Sequence, residues 1–168
     1  MDEKVLYYIE KLKLIKHPEG GYFNEIYRSD EMFEASVLPE RYIGHRSFST
    51  SIYFLLSGKE ISAFHKLKSD EIWHFYDGSA IKIYIITPER KLEERILGNN
   101  LSKNESLQTV INKNSWFGAE LLSKTSFSLV GCTVSPGFDF QDFEIGKREQ
   151  LLQEYPEFSS IILKLTKP

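Results

Sequence analysis

The chain has 168 residues, a formal net charge of −3 and a pI near 5.9, which gives no general field for holding nucleic acid or an acidic membrane surface. Hydrophobic residues make up 41% and charged residues 27%, ordinary for a soluble protein with one sizeable core. A lone cysteine, Cys132, excludes an internal disulfide framework and a cysteine-cluster zinc site.

Residues 2–14 read as an amphipathic helix: Asp2 can cap it, and Val5, Ile9 and Leu12 form one stripe. The acidic start lacks the apolar core of a signal peptide, and no apolar run approaches membrane-spanning length. A cytoplasmic location is the default expectation. HPEGGYF, from His17 to Phe23, breaks the helix with Pro18 and two glycines, and extended sequence follows from NEIYRS onward. From Ser47 come short runs rich in β-branched and aromatic residues: SFSTSIYFLL, ISAFHKL, EIWHFY, AIKIYIIT, LEERIL, LQTVI, SWFGAELL and FSLVGCTV. Gly, Asn, Pro or charged breaks separate them. The spacing predicts a sandwich or barrel of many short strands, and no strand–helix alternation supports a parallel sheet. EIGKREQLLQEY and PEFSSIILKLT predict two closing helices, the second started by Pro156. The whole chain, 1–168, reads as one all-β domain with helical ends.

Chemistry concentrates in HKLKSDEIWHFYDG, residues 65–78. Alternation puts Ala63, His65 and Leu67 on one strand face. On the next strand Glu71, Trp73 and Phe75 share a face, with Ile72, His74 and Tyr76 opposite. The apolar company of the first set predicts that His65 and Glu71 both enter the interior, with His74 directed elsewhere.

This spacing resembles the first motif of the cupin superfamily, in which a His-x-His pair is followed by a Glu and then a Gly. His65, Glu71 and Gly78 match, Gly58 lies one position from its expected place, and Leu67 stands in the slot of the second histidine. The turn INKNSWF puts Asn112 and Asn114 at its corner and Phe117 where the second cupin motif has its histidine. Two of the usual four ligands are therefore missing, fewer remain than a catalytic metal needs, and no bound metal or other cofactor is expected. HPEGGYFNEIYRS, SDEIWHFYDG and GCTVSPGFDFQDFEIG followed by LLQEYP together resemble the cupin 5 family, a branch catalogued as a domain of unknown function. The resemblance implies a double-stranded β-helix (a jelly roll), a homodimer and an internal pocket. It names no reaction. By fold and pocket histidine this branch is comparable with sugar-nucleotide epimerases that invert a carbon without a metal.

The expected site follows from these positions. His65 is the candidate general base and Glu71 its orienter or a second acid–base group. Tyr53 or Tyr84 is the candidate proton donor. Ser51 and Tyr53 belong to a polar stripe with Ser49 that is expected to line the cavity, leaving Thr50, Ile52, Phe54 and Leu56 to pack elsewhere. Trp73 and Trp116, with Phe138 and Phe140, are candidate pocket walls, and Glu19, Tyr22 and Phe23 could close the mouth. Cys132 has no histidine at a telling spacing, and a nucleophilic role is not expected. The first reading is a metal-independent epimerase or isomerase acting on a small carbohydrate-like substrate. The alternatives are a non-catalytic small-metabolite binding protein and, third, a metal-dependent cupin using His65, Glu71 and one further ligand.

Overall fold

A computed structural model describes residues 3–167. Helix α1 (Glu3–Lys11) leads into β1 (Ile15–Lys16) and β2 (Tyr22–Arg28), followed by a short pair, β3 (Met32–Phe33) and β4 (Arg46–Ser47). The next five strands are β5 (Thr50–Ser57), β6 (Ile61–Leu67), β7 (Asp70–Gly78), β8 (Ile81–Ile86) and β9 (Leu92–Leu97). The series ends with β10 (Gln108–Ile111), β11 (Trp116–Leu121), β12 (Phe127–Ser135) and β13 (Phe143–Ile145). Helices α2 (Arg148–Glu154) and α3 (Ser159–Lys164) close the chain. Asp2, the expected helix cap, lies outside the described residues.

Two antiparallel sheets face each other. The first has the order β1-β2-β5-β12-β7-β10 and the second β13-β6-β11-β8-β9. From β5 to β8, and again from β10 to β13, the chain changes sheet at every turn, the winding of a double-stranded β-helix. This is the jelly roll expected from the sequence. No helix among the described residues is long and apolar enough to cross a membrane.

Each sheet is partly covered on its outer face as well. Between the sheets lie Phe54, Leu56, Trp73, Val130 and Cys132 from the first and Ile81, Ile83, Phe117 and Leu121 from the second. Outside the first sheet, Val5 and the partly buried Ile9 and Leu12 of the α1 region pack on Leu55, Phe127 and Leu129. Outside the second, Leu151, Ile161 and Ile162 of α2 and α3 pack on Phe64, Tyr84, Ile86 and Trp116. A strand such as AIKIYIIT is therefore apolar on both faces because both are buried.

This double burial corrects the expectations for five residues. Ile52 and Phe54 point between the sheets, so Ser51 and Tyr53 lie on the outer face; Tyr53 packs under α1. Tyr22 packs in the same outer cluster, with Lys16 Nζ 3.8 Å from its ring centroid. Tyr84 and Trp116 lie on the far side of the second sheet under the C-terminal helices.

Two features fix the loops at the open end. The Arg46 guanidinium and the Asp142 carboxylate, both almost fully buried, form a bidentate pair at 2.7 and 2.8 Å. This pair holds the segment after β12 against β4. At the other side, Gly20 and Gly21 adopt positive φ of 121° and 69°, so that the HPEGG turn tucks against β6. There the Glu19 carbonyl accepts the Ala63 N–H at 2.9 Å. A Cβ on Gly20 would stand 2.1 Å from the Ile61 carbonyl oxygen, closer than any backbone adjustment of one residue can relieve. Gly20→Ala is therefore expected to destabilise the fold by about 3 kcal/mol or more, read as a lowered denaturant midpoint; an unchanged midpoint would show that the turn is not packed in this way.

Candidate functional site

The open end of the sandwich holds a cavity of about 250 Å³. That lies just below the roughly 300–1,000 Å³ typical of drug-sized ligand sites and suits a small metabolite. Its walls are mainly apolar and aromatic, and five ionisable or nucleophilic side chains face it from within: His17, Glu19, His65, Glu71 and Cys132. At the mouth stand Glu25, Arg28, Asp139, Phe138 and Phe140.

The core of the site is a shared proton. His65 Nδ1 lies 2.8 Å from the Ala63 carbonyl oxygen, which can only accept, so this nitrogen carries the hydrogen. His17 Nδ1 accepts the Glu19 backbone N–H at 3.3 Å and so carries none. Glu19 Oε2 then sits 3.2 Å from His65 Nε2 and 3.3 Å from His17 Nδ1, facing two nitrogens without hydrogens. The contact needs one proton, and burial decides where it rests. Burial, then the neighbouring Glu71 charge, pushes the Glu19 carboxyl well above its ordinary range. Burial brings His65 down to about 3 and His17 to about 4. Glu19 is thus a neutral acid whose Oε2–H is given to His65, while its Oε1 accepts the Ser62 hydroxyl at 2.7 Å.

Glu71 comes from β7, two residues before Trp73 on the same inward face. Burial raises it to about 7, and the nearby Trp73 indole and Cys132 thiol offset this only in part. Neither gives it a full hydrogen bond: among the described residues, Glu71 Oε2 and Trp73 Nε1 are both buried with no hydrogen-bond partner. The Cys132 thiol is itself pushed up by burial and by the two carboxyl groups, the opposite of what a nucleophilic thiolate requires.

The structure brings His65, Glu71, Glu19, Trp73 and Phe140 into one lining, the last at the exposed rim. It leaves Tyr53, Tyr84, Ser51, Tyr22 and Trp116 outside that lining. Tyr84 donates instead to Glu120 at 3.0 Å, a carboxylate also held by Lys124 and Lys164. His74 bonds Thr133 Oγ1 at 3.1 Å on the outer face of the first sheet. His65 has a carboxylate partner, but it is Glu19 rather than Glu71. Thr50 and His17 are further lining residues the spacing argument missed. For His17 and Glu19 the available signal was the double glycine, which allows a turn to enter the space between sheets.

The cupin metal cage does not fit this donor set. Leu67 and Phe117 occupy ligand slots and offer no donor atom, while His65 has both ring nitrogens engaged, with Ala63 and Glu19. Among the described residues no three His, Cys, Asp or Glu side chains converge as metal ligands would.

Burial also sets the sign of the pH dependence. Glu71 holds its proton to about 7 when folded, against 4.5 for an ordinary glutamate. Between those values the unfolded chain has already lost the proton, so stability falls as pH rises through this window. The histidines act in the other direction: depressed from 6.5 to about 3 and about 4, they lose stability as pH falls below 6.5. Glu71→Gln removes only the first effect. Relative to wild type, its melting temperature is expected to gain about 5 °C or more between about pH 5 and about pH 8, measured by calorimetry; a constant difference would show that Glu71 is not raised.

Comparison with known proteins places this geometry in a family. The family model Cupin_5, described as Cupin superfamily (DUF985), matches residues 6–146. The crystal structure of protein SO0799 from Shewanella oneidensis is 41% identical, with a TM-score of 0.87 and 96% of each chain covered. A hypothetical protein from Leishmania major is 30% identical, with a TM-score of 0.89 over 97% of this chain and 98% of that one. The uncharacterized protein YML079W of Saccharomyces cerevisiae is 30% identical over 154 residues, 86% of this chain and 76% of its own length.

Proposed function

The chain belongs to the Cupin_5 family of the cupin superfamily, and we propose that it is a metal-independent isomerase or epimerase acting on a small carbohydrate-like molecule. The observation that carries this reading is the presence of Glu19, His65 and Glu71 in one closed wall, each held near or in its neutral form. Perturbed acids and bases gathered in a cleft are what proton-transfer chemistry requires.

In this reading Glu71 is the group that takes the substrate proton. With a folded pKa of about 7 it is divided between acid and base at neutral pH, which suits a group that must both remove and return a proton. The Glu19–His65 pair supplies the second proton. Glu19 Oε2–H, held in place by His65 Nε2 at 3.2 Å, goes to the substrate carbon as Glu71 takes the proton from its other face, and the Glu19 carboxylate left behind regains a proton from solvent. In this reading the two tyrosines expected as proton donors take no part: Tyr53 packs under α1 and Tyr84 under the C-terminal helices, away from the cavity. The reading also includes a homodimer, which exposed apolar side chains such as Val37 and Ile43, each 70% accessible, support.

The test is solvent deuterium exchange. Incubated in D₂O with a panel of aldoses, ketoses, deoxyhexoses and uronic acids, the wild-type protein is expected to label one carbon next to a carbonyl, followed by NMR. Glu71→Gln and His65→Asn, shown folded by circular dichroism, should label it about 100-fold more slowly or worse. Tight binding with no exchange in any member would replace the enzyme with a small-metabolite binding protein.

A further inference from the structure

The lining holds more acidic than basic side chains. Glu19, Glu25, Glu71 and Asp139 face the cavity, against a single Arg or Lys among the lining residues, Arg28. Arg28 is not free: Glu25 takes its Nε and one terminal nitrogen at 2.9 and 2.6 Å, and the Phe138 carbonyl accepts from it at 3.1 Å. An anionic ligand group would therefore meet Glu25 and Asp139 at the mouth and Glu71 within, against one arginine already held by a carboxylate. The volume argues the same way, since about 250 Å³ would not enclose a sugar joined to a nucleotide.

Inside, the two unpartnered atoms define what is wanted. Trp73 Nε1–H is a donor only, while Glu71 Oε2 accepts when ionised and can donate when protonated. They come from neighbouring inward positions of β7, and both residues line the cavity. A hydroxyl group meets both needs, accepting from the indole and donating to the carboxylate, or accepting if the acid is protonated. An ammonium offers donors only and leaves the indole unpaired. A carboxylate would set a second negative charge beside Glu71 whenever that group is ionised.

Resting on the proton-transfer reading above and narrowing it, we propose that the ligand is an uncharged polyhydroxy molecule of single-sugar size, with one hydroxyl seated between Trp73 Nε1 and Glu71 Oε2. Phosphorylated, nucleotide-linked and uronic-acid sugars are disfavoured by Glu25 and Asp139 at the mouth and by Glu71 within.

Titration calorimetry and ligand-observed NMR test this on the full chain. The panel holds neutral aldoses, deoxyhexoses and polyols beside their uronate, 1-phosphate, amino and nucleotide-diphosphate counterparts. The expected result is binding of a neutral member, about 10-fold or more tighter than each charged counterpart. Trp73→Phe should weaken that binder about 10-fold, the loss of one buried hydrogen bond. Glu25→Gln, which releases Arg28, should strengthen the uronate. Wild-type preference for any charged member, or no neutral member bound, would overturn the proposal, and neither outcome depends on a variant folding. The two readings fail separately. Neutral binding without deuterium exchange keeps this inference and removes the enzyme, whereas exchange on a uronate or phosphate keeps the enzyme and removes this inference.

Discussion

The structure turns on one constraint: two carboxyl groups and two imidazoles are buried in the wall of one cavity, and among the described residues no lysine or arginine pairs with any of them. Buried charge without a partner is too expensive to keep, so the groups settle into neutral forms or share protons. Glu19 becomes a proton donor to His65, the imidazoles lose their affinity for a proton, and Glu71 moves into the neutral pH range. The same burial that makes these groups a liability for stability makes them useful for moving protons. Where stability and reactivity conflict in this way, a functional site is the usual reason.

The rest of the fold supplies the rigidity that such an arrangement needs. Glu19 is brought in by a turn that only glycine can make at Gly20, and is then tied to β6 through its carbonyl and through Ser62. His65 is pressed against Phe117, with ring centroids 4.0 Å apart, which fixes its plane while Ala63 fixes its tautomer. The rim is held from the opposite side by the buried Arg46–Asp142 pair. The apolar covering on both outer faces lets a short chain support a cavity without collapsing into it.

Much of this was legible in the sequence. The short, evenly spaced strands, the closing helices and the three motifs led to the jelly roll, and simple alternation turned His65, Glu71 and Trp73 to the same interior. The same rule misplaced Ser51, Tyr53, Tyr84 and Trp116. In SIYFLL, Ile52 and Phe54 face the cavity side while Tyr53 and Leu55 are covered by α1, so apolar character marks both faces and cannot show which one is inside. Burial under a terminal helix looks the same, residue by residue, as burial between sheets. Glu19 sits at the PEGGYF bend, which points to the pocket mouth, but the two glycines carry that bend inward against β6. The identity of His65's partner was not legible at all, since it depends on where a turn more than forty residues away docks.

The most direct test of the account is the protonation state of His65, read from its two ring nitrogens by ¹⁵N–¹H NMR across the range of about pH 5 to about pH 8. The account predicts a neutral ring bearing its hydrogen on Nδ1 throughout, with no titration step. An imidazolium signal at neutral pH would mean that Glu19 and His65 form an ion pair instead. The shared-proton site, and the chemistry built on it, would then be wrong.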